Sequence, residues 1–284
     1  MEAWPNVPAI RAKSRYTSTA MPGLSAWIER NVRLSELSAK PGAMRLWPWQ
    51  REIADAIGDP AIERVTVIKS ARVGYTSLVI AALAHYCARD PCPVLAILPT
   101  IADSRDFIVS DVEPIFAASP ALAGVLRDPG RTPGDRNTLV HRLFPGGSLR
   151  IVAAKAPRNL RRHTARVLLV DEADAMETGA EGDVLLLAER RTLSFDNRKI
   201  IVGSTPIDED VSHVLRLYGL SDQRVFELPC PECGSFTEIL WQHIEWQADR
   251  PETAAFRCPH CEALIAEKHK AKMVRSGVWR PTAP

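Results

Sequence analysis

The sequence has little net charge and no long hydrophobic run. Its 36 lysines and arginines nearly balance its 34 aspartates and glutamates, which leaves a formal net charge of +2. No strong overall field draws such a protein to nucleic acid, so any contact with DNA must come from a local basic patch. The opening residues lack the apolar core of a signal peptide, and no apolar stretch is long enough to cross a membrane. We expect a soluble, intracellular protein.

Internal repeats are also absent, and biased composition is confined to the start of the chain. Residues 1–23 are rich in Pro, Ser and Thr and lack periodicity, which predicts a flexible arm. Short apolar runs then alternate with helical stretches, and this alternation predicts a mostly parallel α/β sheet with helices on both faces. The predicted strands are Val65–Ile68, Val94–Leu98, Ser148–Ala153, Val167–Val170 and Lys199–Val202.

A loop opened by a lysine follows the first predicted strand and precedes a predicted helix. This order is typical of a phosphate-binding loop, although Tyr75 occupies the place of the lysine in the usual pattern G-x-x-x-x-G-K-[ST]. We predict that Thr76 binds Mg²⁺ and that Lys69 reaches the β- and γ-phosphates of ATP. The alternative is an ordinary strand–helix turn. The residues predicted to bind ATP and Mg²⁺ here are Lys69, Ser70, Ala71, Arg72, Val73, Gly74, Tyr75 and Thr76.

Two acids end the apolar strand Val167–Val170. Such acids lie at the carboxyl edge of a parallel sheet, where α/β proteins bind ligands. We predict that Asp171 holds Mg²⁺ and that Glu172 orients and deprotonates the attacking water. A strand followed by an acidic helix cap is the alternative. The candidate phosphate loop about 100 residues upstream favours the catalytic interpretation.

Other segments supply candidate parts of the same site. Ser204 and Thr205 end another apolar strand and are predicted to sense the γ-phosphate and couple hydrolysis to movement, with a simple turn as the alternative. Upstream, Gln50 is predicted to read the adenine edge while Trp49 stacks on the ring. A helix start with core tryptophans explains that pair equally well.

Basic residues are densest between positions 155 and 166. This segment is predicted to contact DNA phosphates or to supply an arginine to the ATP of a neighbouring subunit, and a solvated loop is the alternative. Arg72, inside the phosphate loop, is a second candidate for an arginine that stabilises the transition state. The arginines of the basic segment are Arg158, Arg161, Arg162 and Arg166.

Four of the six cysteines form two C-P-x-C pairs. Two such knuckles complete a tetrahedral thiolate site, which is structural in type and typical of zinc. A redox motif would not occur in two copies and lacks its βαβ setting. We therefore predict a zinc ribbon over residues 223–284, following an ATPase domain over residues 24–222. The predicted zinc ligands are Cys230, Cys233, Cys258 and Cys261.

Taken together, these motifs resemble the large terminase subunit of lambda-type tailed phages and prophages. The likeness covers residues 46–279 and includes the loop at 69–76 with its displaced lysine and the acidic strand end at 169–174. It also includes Phe144-Pro145-Gly146-Gly147, Glu181-Gly182-Asp183 followed by Arg191-Thr192, Ser204-Thr205-Pro206 and the cysteine pairs. The order of these motifs is more specific than any one of them.

The resemblance implies a RecA-like P-loop ATPase that drives duplex DNA into a procapsid, in the cytoplasm of the bacterial host. The implied cofactors are ATP, Mg²⁺ and Zn²⁺. The implied partners are double-stranded DNA, the small terminase subunit, the portal of the procapsid and further copies of the chain in a ring, with no membrane. The family carries a C-terminal nuclease, and because the sequence ends at Pro284 we expect no endonuclease activity in this chain.

Two other functions fit part of the pattern. A helicase-like remodelling ATPase shares the glutamine and the Asp-Glu strand end, but the sequence shows no second RecA-like domain with its own arginine motif. A catalytically silent module that binds DNA or the portal is the other alternative, and Tyr75 in the usual lysine position favours it.

Overall fold

The structure is a computed structural model that describes residues 23–126, 137–177 and 182–284, without the side chains of Pro157 and Arg161. The predicted arm, apart from Gly23, lies outside the described residues, as does Glu181. The helices are α1 (Leu24–Asn31), α2 (Pro48–Gly58), α3 (Tyr75–Ala88), α4 (Ile101–Asp106), α5 (Glu113–Ala118), α6 (Val184–Glu189), α7 (His213–Tyr218) and α8 (Lys270–Arg275).

The strands form one large sheet and three small ones. The strands are β1 (Arg33–Leu34), β2 (Gly42–Ala43), β3 (Arg64–Ile68), β4 (Pro93–Leu98), β5 (His141–Phe144), β6 (Gly147–Ala153), β7 (Val167–Asp171), β8 (Lys199–Ser204), β9 (Val225–Pro229), β10 (Phe236–Thr237), β11 (Ile244–Gln247), β12 (Arg250–Arg257), β13 (Leu264–Ala266) and β14 (Val278–Arg280).

The large sheet has the order β3-β8-β7-β4-β6-β5. All neighbours pair in parallel except β5 and β6, which form an antiparallel hairpin. All five predicted strands belong to this sheet, and its mostly parallel pairing confirms that part of the prediction. Its central strands are continuous apolar runs, as expected for strands that are covered on both faces.

Helices cover the two faces of the sheet with separate apolar clusters. Alternate residues of β4 divide between them, so that Ala96 packs in the cluster formed with α1, α2, α3 and α5, and Ile97 in the cluster formed with α6 and α7. Helix α3 is apolar around its whole circumference and is almost entirely buried. A helix that is apolar on all sides is expected to be covered by protein on all sides.

The motif at residues 144–147 makes the turn of the β5–β6 hairpin. Phe144 pairs with Gly147 across a two-residue loop, in which Gly146 has a positive φ of 82°. A Cβ on Gly147 would lie 2.4 Å from the carbonyl oxygen of Cys92, so this position accepts glycine alone. The hairpin thereby packs closely against the start of β4.

The helical stretch from Ile101 to Ala118 has three parts. A π-helical turn, Phe107–Val112, lies between α4 and α5. Pro114 stands in the first turn of α5, where its missing N–H is tolerated. The chain therefore stays helical through Ala118, and the irregularity precedes the proline.

The C-terminal residues form a small module of two three-stranded sheets, with orders β10-β9-β14 and β11-β12-β13. It has its own apolar cluster, which includes Leu228, Phe256 and Met273. Trp279 of β14 donates its indole N–H to the carbonyl oxygen of Trp49 in α2 at 3.0 Å. The module therefore packs on α2, the helix that precedes strand β3 of the large sheet. Among the described residues, no helix is long and apolar enough to span a membrane.

Candidate nucleotide site and cysteine cluster

Three adjacent parallel strands end side by side at the candidate site. Lys69 follows β3, Ser204 ends β8 and Asp171 ends β7. The main-chain N–H of Lys69 donates to the carbonyl oxygen of Ser204 at 3.0 Å, which continues the β3–β8 pairing into the loop. The carboxyl edge of a parallel sheet is where ligands bind in this class of fold. The sheet order therefore brings the loop and the acids together.

The side chains of four predicted residues converge at this edge. The Lys69 ammonium donates to a Glu172 carboxylate oxygen and lies 3.6 Å from Oδ1 of Asp171. The Thr76 hydroxyl donates to Oδ2 of Asp171 at 2.8 Å. Lys69 and Asp171 are nearly buried, whereas the Glu172 side chain is 45% exposed. Glu172 is therefore the acid that solvent or a ligand can reach.

Burial sets the electrostatics of this cluster. Desolvation raises the pKa of Asp171, and the Lys69 ammonium and the Thr76 hydroxyl partly offset that rise. A buried carboxylate is costly unless cations or donors satisfy it. The loop supplies both kinds of group to Asp171. Lys69 and Thr76 therefore satisfy the buried Asp171 carboxylate.

Positive φ angles occur both in the loop at 69–76 and in the turn that carries Glu172. Gly74, immediately before α3, has φ 74°, and Arg72 has φ 62°. Glu172 has φ 55°, a left-handed conformation that is uncommon for a residue with a side chain. Such conformations concentrate at functional sites. Ser70, Ala71 and Arg72 are exposed around this turn, Val73 is half-buried, and the Arg72 guanidinium is open to solvent.

Tyr75 does not occupy the place of a phosphate-binding lysine. Its side chain is buried under β8, and a Cβ on Gly203 would lie 2.2 Å from its ring. The Lys69 ammonium lies 5.7 Å from the centre of the same ring. Because the ring is enclosed in the core, contact between the Tyr75 side chain and ATP would require the ring to leave this position. Its main chain remains part of the loop.

Gln50 is bonded to the loop itself. Its amide nitrogen donates to the carbonyl oxygen of Val73 at 3.1 Å, and its amide oxygen accepts from the N–H of Trp47 at 3.0 Å. To read an adenine edge, the amide would have to leave these bonds. Trp49 is half-buried against the core, and its carbonyl oxygen is bound by Trp279.

The predicted coupling residues differ in exposure. Ser204 is buried, and its hydroxyl accepts from the N–H of Asp174 at 3.0 Å. Thr205 is exposed immediately beyond the strand end. The structure therefore brings Ser204 into contact with both the loop, through its carbonyl oxygen, and the acidic turn, through its hydroxyl.

Arg166 lies far from the site. It precedes β7, so it lies at the opposite edge of the sheet from Asp171. Its guanidinium pairs with Asp90 at 2.5 Å and stacks on Tyr86. The predicted DNA-binding or trans-acting role for Arg166 would require the guanidinium to leave these partners.

The other residues of the basic segment follow β6, in the turn Pro157–Arg162. Because β6 runs parallel to β7, this turn lies at the same edge of the sheet as Asp171. Arg158 and Arg162 are exposed there. The side chain of Arg161 lies outside the described part of the structure.

The four predicted metal ligands form one cluster. Their sulfur atoms all lie within 4.8 Å of one another, with Cys230 and Cys261 at 3.8 Å and Cys233 and Cys258 at 3.8 Å. Zinc–sulfur bonds of about 2.3 Å in a tetrahedron place the sulfurs about 3.8 Å apart. The arrangement is compatible with a metal ion. The other cysteines, Cys87 and Cys92, are buried in the larger apolar cluster.

Comparison with known families identifies the chain. A family model described as the phage terminase large subunit gpA, ATPase domain, matches residues 38–279. The chain belongs to this family. The residues matched include the loop at 69–76, the acidic strand end and all four clustered cysteines. The resemblance recognised from the sequence motifs is thereby confirmed.

Two curated relatives agree with this family. The chain is 27% identical to the terminase large subunit of Escherichia phage lambda over 269 residues, which are 89% of this chain and 42% of that protein. It is 28% identical to the terminase large subunit of Enterobacteria phage P21 over 264 residues, which are 89% of this chain and 41% of that protein. This terminase chain thus spans about two fifths of the length of these relatives.

A solved structure shows the same fold. The crystal structure of the HK97 bacteriophage large terminase superposes with a TM-score of 0.55 at 17% sequence identity, over 69% of this chain and 39% of that chain. The terminase chain therefore has the mixed α/β architecture with a mostly parallel central sheet found in that protein.

The sequence pattern assigns no role to one further acid of the strand end, which is buried at the site. Asp174 is 7% exposed and accepts hydrogen bonds from Ile207, Ser212 and Val214. The residue stands two positions after Glu172, and its surroundings come from a segment more than 30 residues away. No local pattern indicates that contact, because an acid after a strand is usually solvated or caps a helix.

Proposed function

We propose that this terminase chain is an ATP-hydrolysing motor that couples ATP turnover to the movement of duplex DNA into a procapsid. The observation that carries the proposal is the convergence of Lys69, Thr76, Asp171 and Glu172 at the carboxyl ends of β3 and β7. A lysine, a hydroxyl and two acids around a turn at a helix start are the parts that phosphoryl transfer from ATP requires. This arrangement supports a P-loop ATPase fold.

The loop at 69–76 would hold the phosphates of ATP. Main-chain N–H groups of Ser70, Ala71, Arg72 and Val73 and the first turn of α3 surround the position of the phosphates in such loops. Lys69 reaches the same position from the start of the loop. This arrangement disfavours the silent-module alternative, because the ammonium missing at Tyr75 is supplied at Lys69.

Phosphate binding would release Glu172 for catalysis. In the structure, the Lys69 ammonium is shared between Asp171 and Glu172. An incoming triphosphate offers Lys69 a stronger partner, because a phosphate group carries more charge than one carboxylate. Glu172, half-exposed and freed from Lys69, could then accept a proton from the attacking water. Substrate binding and activation of the base would be linked in this way.

Thr76 and Asp171 are suited to hold Mg²⁺. The Thr76 hydroxyl and the Asp171 carboxylate are hard oxygen donors that already contact each other at 2.8 Å. Mg²⁺ binds few protein oxygens and keeps waters and substrate phosphates as its other ligands. Bound there, it would neutralise charge that develops on the phosphates. Thr76 and Asp171 would orient it, directly or through water.

Arginines would complete the site in the assembled motor. The exposed Arg72 guanidinium lies in the loop and could stabilise transition-state charge. Arg158, Arg161 and Arg162 belong to a turn at the same edge and could reach either DNA phosphates or the ATP of a neighbouring copy. Ser204 and Thr205 would report the state of the γ-phosphate, while Gln50 and Trp49 would lie on the adenine side.

The remaining parts of the proposal concern organisation and partners. We assign residues 24–222 to the ATPase domain and 223–284 to a zinc ribbon, after an arm at 1–23. The four cysteines would hold one zinc ion that stabilises the ribbon. The partners would be double-stranded DNA, the small terminase subunit and the portal of the procapsid, with the active form a ring of copies.

The test is Mg²⁺-dependent ATP hydrolysis by the purified chain with and without duplex DNA. The variants are Glu172→Gln, which removes the base and keeps the size of the side chain, and Lys69→Ala. We expect Glu172→Gln to bind ATP and to lose at least about a hundredfold in turnover. Lys69→Ala should lose both binding and turnover.

A matched control is Glu177→Gln, a nearby exposed acid outside the cluster. It should retain normal turnover. Unchanged turnover in both Glu172→Gln and Lys69→Ala would contradict the site assignment.

A further inference from the structure

Asp174 is a buried carboxylate, and within the described residues the three groups that donate hydrogen bonds to it are all uncharged. Its Oδ1 accepts from the N–H of Val214 at 2.8 Å. Its Oδ2 accepts from the N–H of Ile207 at 3.2 Å and from the Ser212 hydroxyl at 2.5 Å. A buried carboxylate costs considerable free energy unless its oxygens are satisfied, so this exact pattern of donors is what keeps it in place.

These bonds join three parts of the site. Asp174 stands two residues after Glu172, and its own N–H donates to the Ser204 hydroxyl at the end of β8. The three donors to its carboxylate belong to the segment that leads from β8 into the first turn of α7. One side chain therefore connects the turn that carries Glu172 with the start of α7.

Helix α7 leads on to the cysteine module. It packs against β3, the strand that leads into the phosphate loop. The hydroxyl of Tyr218, at the end of α7, donates to the carbonyl oxygen of Arg224 at 3.0 Å. Arg224 immediately precedes β9, and β9 is followed by Cys230. A movement of α7 would therefore be transmitted to the module through a few bonded residues.

We propose that Asp174 is a positioning residue that transmits the state of the acidic turn to α7 and to the cysteine module. This inference rests on the ATPase function proposed above. Rearrangement of Glu172 around a bound triphosphate displaces the turn that contains Asp174. Since its carboxylate binds the N-cap Ser212 and Val214 in the first turn of α7, and Ile207 in the segment before the helix, α7 follows the turn. Asp174 itself touches no substrate.

An amide cannot replace this carboxylate fully. The oxygens of Asp174 face donors on both sides, whereas asparagine turns an NH₂ group toward one of them. Asp174→Asn therefore loses at least one acceptor without a change in size. Ser212→Ala removes a single donor and gives a milder version of the same defect. Asp210→Asn, an exposed acid on the same segment, is the control.

The experiment compares ATP binding, steady-state ATP turnover and hydrogen exchange in the whole chain with and without a non-hydrolysable ATP analogue. For Asp174→Asn we expect binding and KM within about twofold of wild type and kcat lower by about tenfold. We expect a smaller loss, about threefold, for Ser212→Ala. The change in exchange that the analogue causes at residues 213–218 and 225–229 should disappear in Asp174→Asn and persist in Asp210→Asn.

A purely structural role would give a different result. Asp174→Asn would then be less stable, yet the analogue would still change exchange at residues 213–218 as in wild type, and this outcome would overturn the proposal. An analogue that leaves exchange of α7 unchanged in the wild type would overturn it as well. If Asp174→Asn does not fold, Ser212→Ala decides by the same measurements. Absence of turnover in the wild type would count against the proposed ATPase, whereas the exchange comparison needs only nucleotide binding.

Discussion

Tyr75 illustrates how a single side chain can be judged only from its packing. The residue stands between the loop glycine Gly74 and Thr76, so a sequence comparison places it where a lysine would contact phosphate. The structure turns its ring inward, against the surface that Gly203 leaves free. Burial raises its pKa well above the ordinary value, and its hydroxyl has no hydrogen-bond partner among the described residues. The residue fills the core beneath the loop.

This packing predicts opposite effects for two substitutions. Tyr75→Phe removes a buried hydroxyl without a partner, so stability should stay within about 1 kcal/mol of wild type and ATP turnover should persist. Gly203→Ala places a methyl group within the Tyr75 ring, and overpacking of this kind costs about 1–3 kcal/mol. Urea unfolding and ATP turnover of both variants measure the effects.

The variants Tyr75→Phe and Gly203→Ala also distinguish a packing role of Tyr75 from contact between its side chain and nucleotide. If the Tyr75 hydroxyl bound nucleotide, Tyr75→Phe would raise the KM for ATP and leave stability unchanged. A Gly203→Ala variant as stable as wild type would show that the ring moves aside freely.

Arg166 and Lys69 also show that the sequence alone does not fix where a long side chain points. The sequence identifies both as cations next to predicted strands, but it does not give the direction of a long side chain. Lys69 turns into the acidic cluster, while Arg166 turns toward Asp90 and Tyr86. A cation at the start of a strand and one at its end lie at opposite edges of a parallel sheet. The position along the strand would have separated these two roles.

At the scale of elements, α2 is fixed at both ends. Gln50, in its first turn, holds the phosphate loop, and its last turn is bound by Lys199 of β8. The buried Lys199 ammonium donates to the carbonyl oxygens of Ala56, Asp59 and Ile62. Ala56 lies in the last turn of α2 and the other two residues follow the helix, so the lysine holds the end of α2 and the segment after it.

Lys199 gives the protein a predictable pH dependence. Burial lowers its pKa from 10.5 to about 8, despite the nearby acids Asp59 and Glu63. Between those values the unfolded chain binds more protons than the folded one, so stability should rise with pH across this window. A shift of this size corresponds to at most about 3 kcal/mol, and solvent screening of the ammonium makes the contribution to stability smaller.

The measurement is the free energy of urea unfolding at pH 7.5 and 9.5 for wild type and Lys199→Met. The difference in stability between the two proteins should grow in favour of wild type as the pH rises. Lys268→Met, at an exposed lysine, should follow wild type at both values. A stability difference between wild type and Lys199→Met that is the same at both pH values would contradict a lowered pKa of Lys199.

At the scale of the whole molecule, the cysteine module has its own apolar cluster and is held on the part of the chain that carries the large sheet. Its own apolar cluster contains few residues, and a domain of this size rarely folds without a metal or another crosslink. Its contact with the larger part includes Trp279, which binds the main chain of α2. Folding of the module should therefore also affect α2 and, through Gln50, the loop.

Metal removal tests this dependence. We expect the purified chain to hold one zinc ion, and chelation to expose Trp279 and to unfold the module before the ATPase sheet. Elemental analysis and tryptophan fluorescence during chelation measure these effects. Cys230→Ser should lose the metal, whereas His260→Ala, at an exposed residue of the second knuckle, should keep it. Zinc retained in full by Cys230→Ser would exclude the four-thiolate site.

Much of this molecule is determined by short-range patterns in the sequence. The continuous apolar runs specify the strands of the parallel sheet, because a strand covered on both faces has no polar side. The glycine and hydroxyl residues at 74–76 specify the turn into α3. The spacing of Cys230, Cys233, Cys258 and Cys261 specifies a thiolate cluster, because each knuckle presents two sulfurs on one turn. Each of these features depends on neighbours along the chain.

Only the tertiary structure decides how the features meet. The order β3-β8-β7 places Lys69, Ser204 and Asp171 at one edge, although they are far apart in sequence. It also encloses Tyr75 beneath Gly203 and surrounds Asp174 with donors from the segment before α7. Such contacts depend on which strands are neighbours and on the space between them. That information lies in the packing of the whole sheet, and no local pattern carries it.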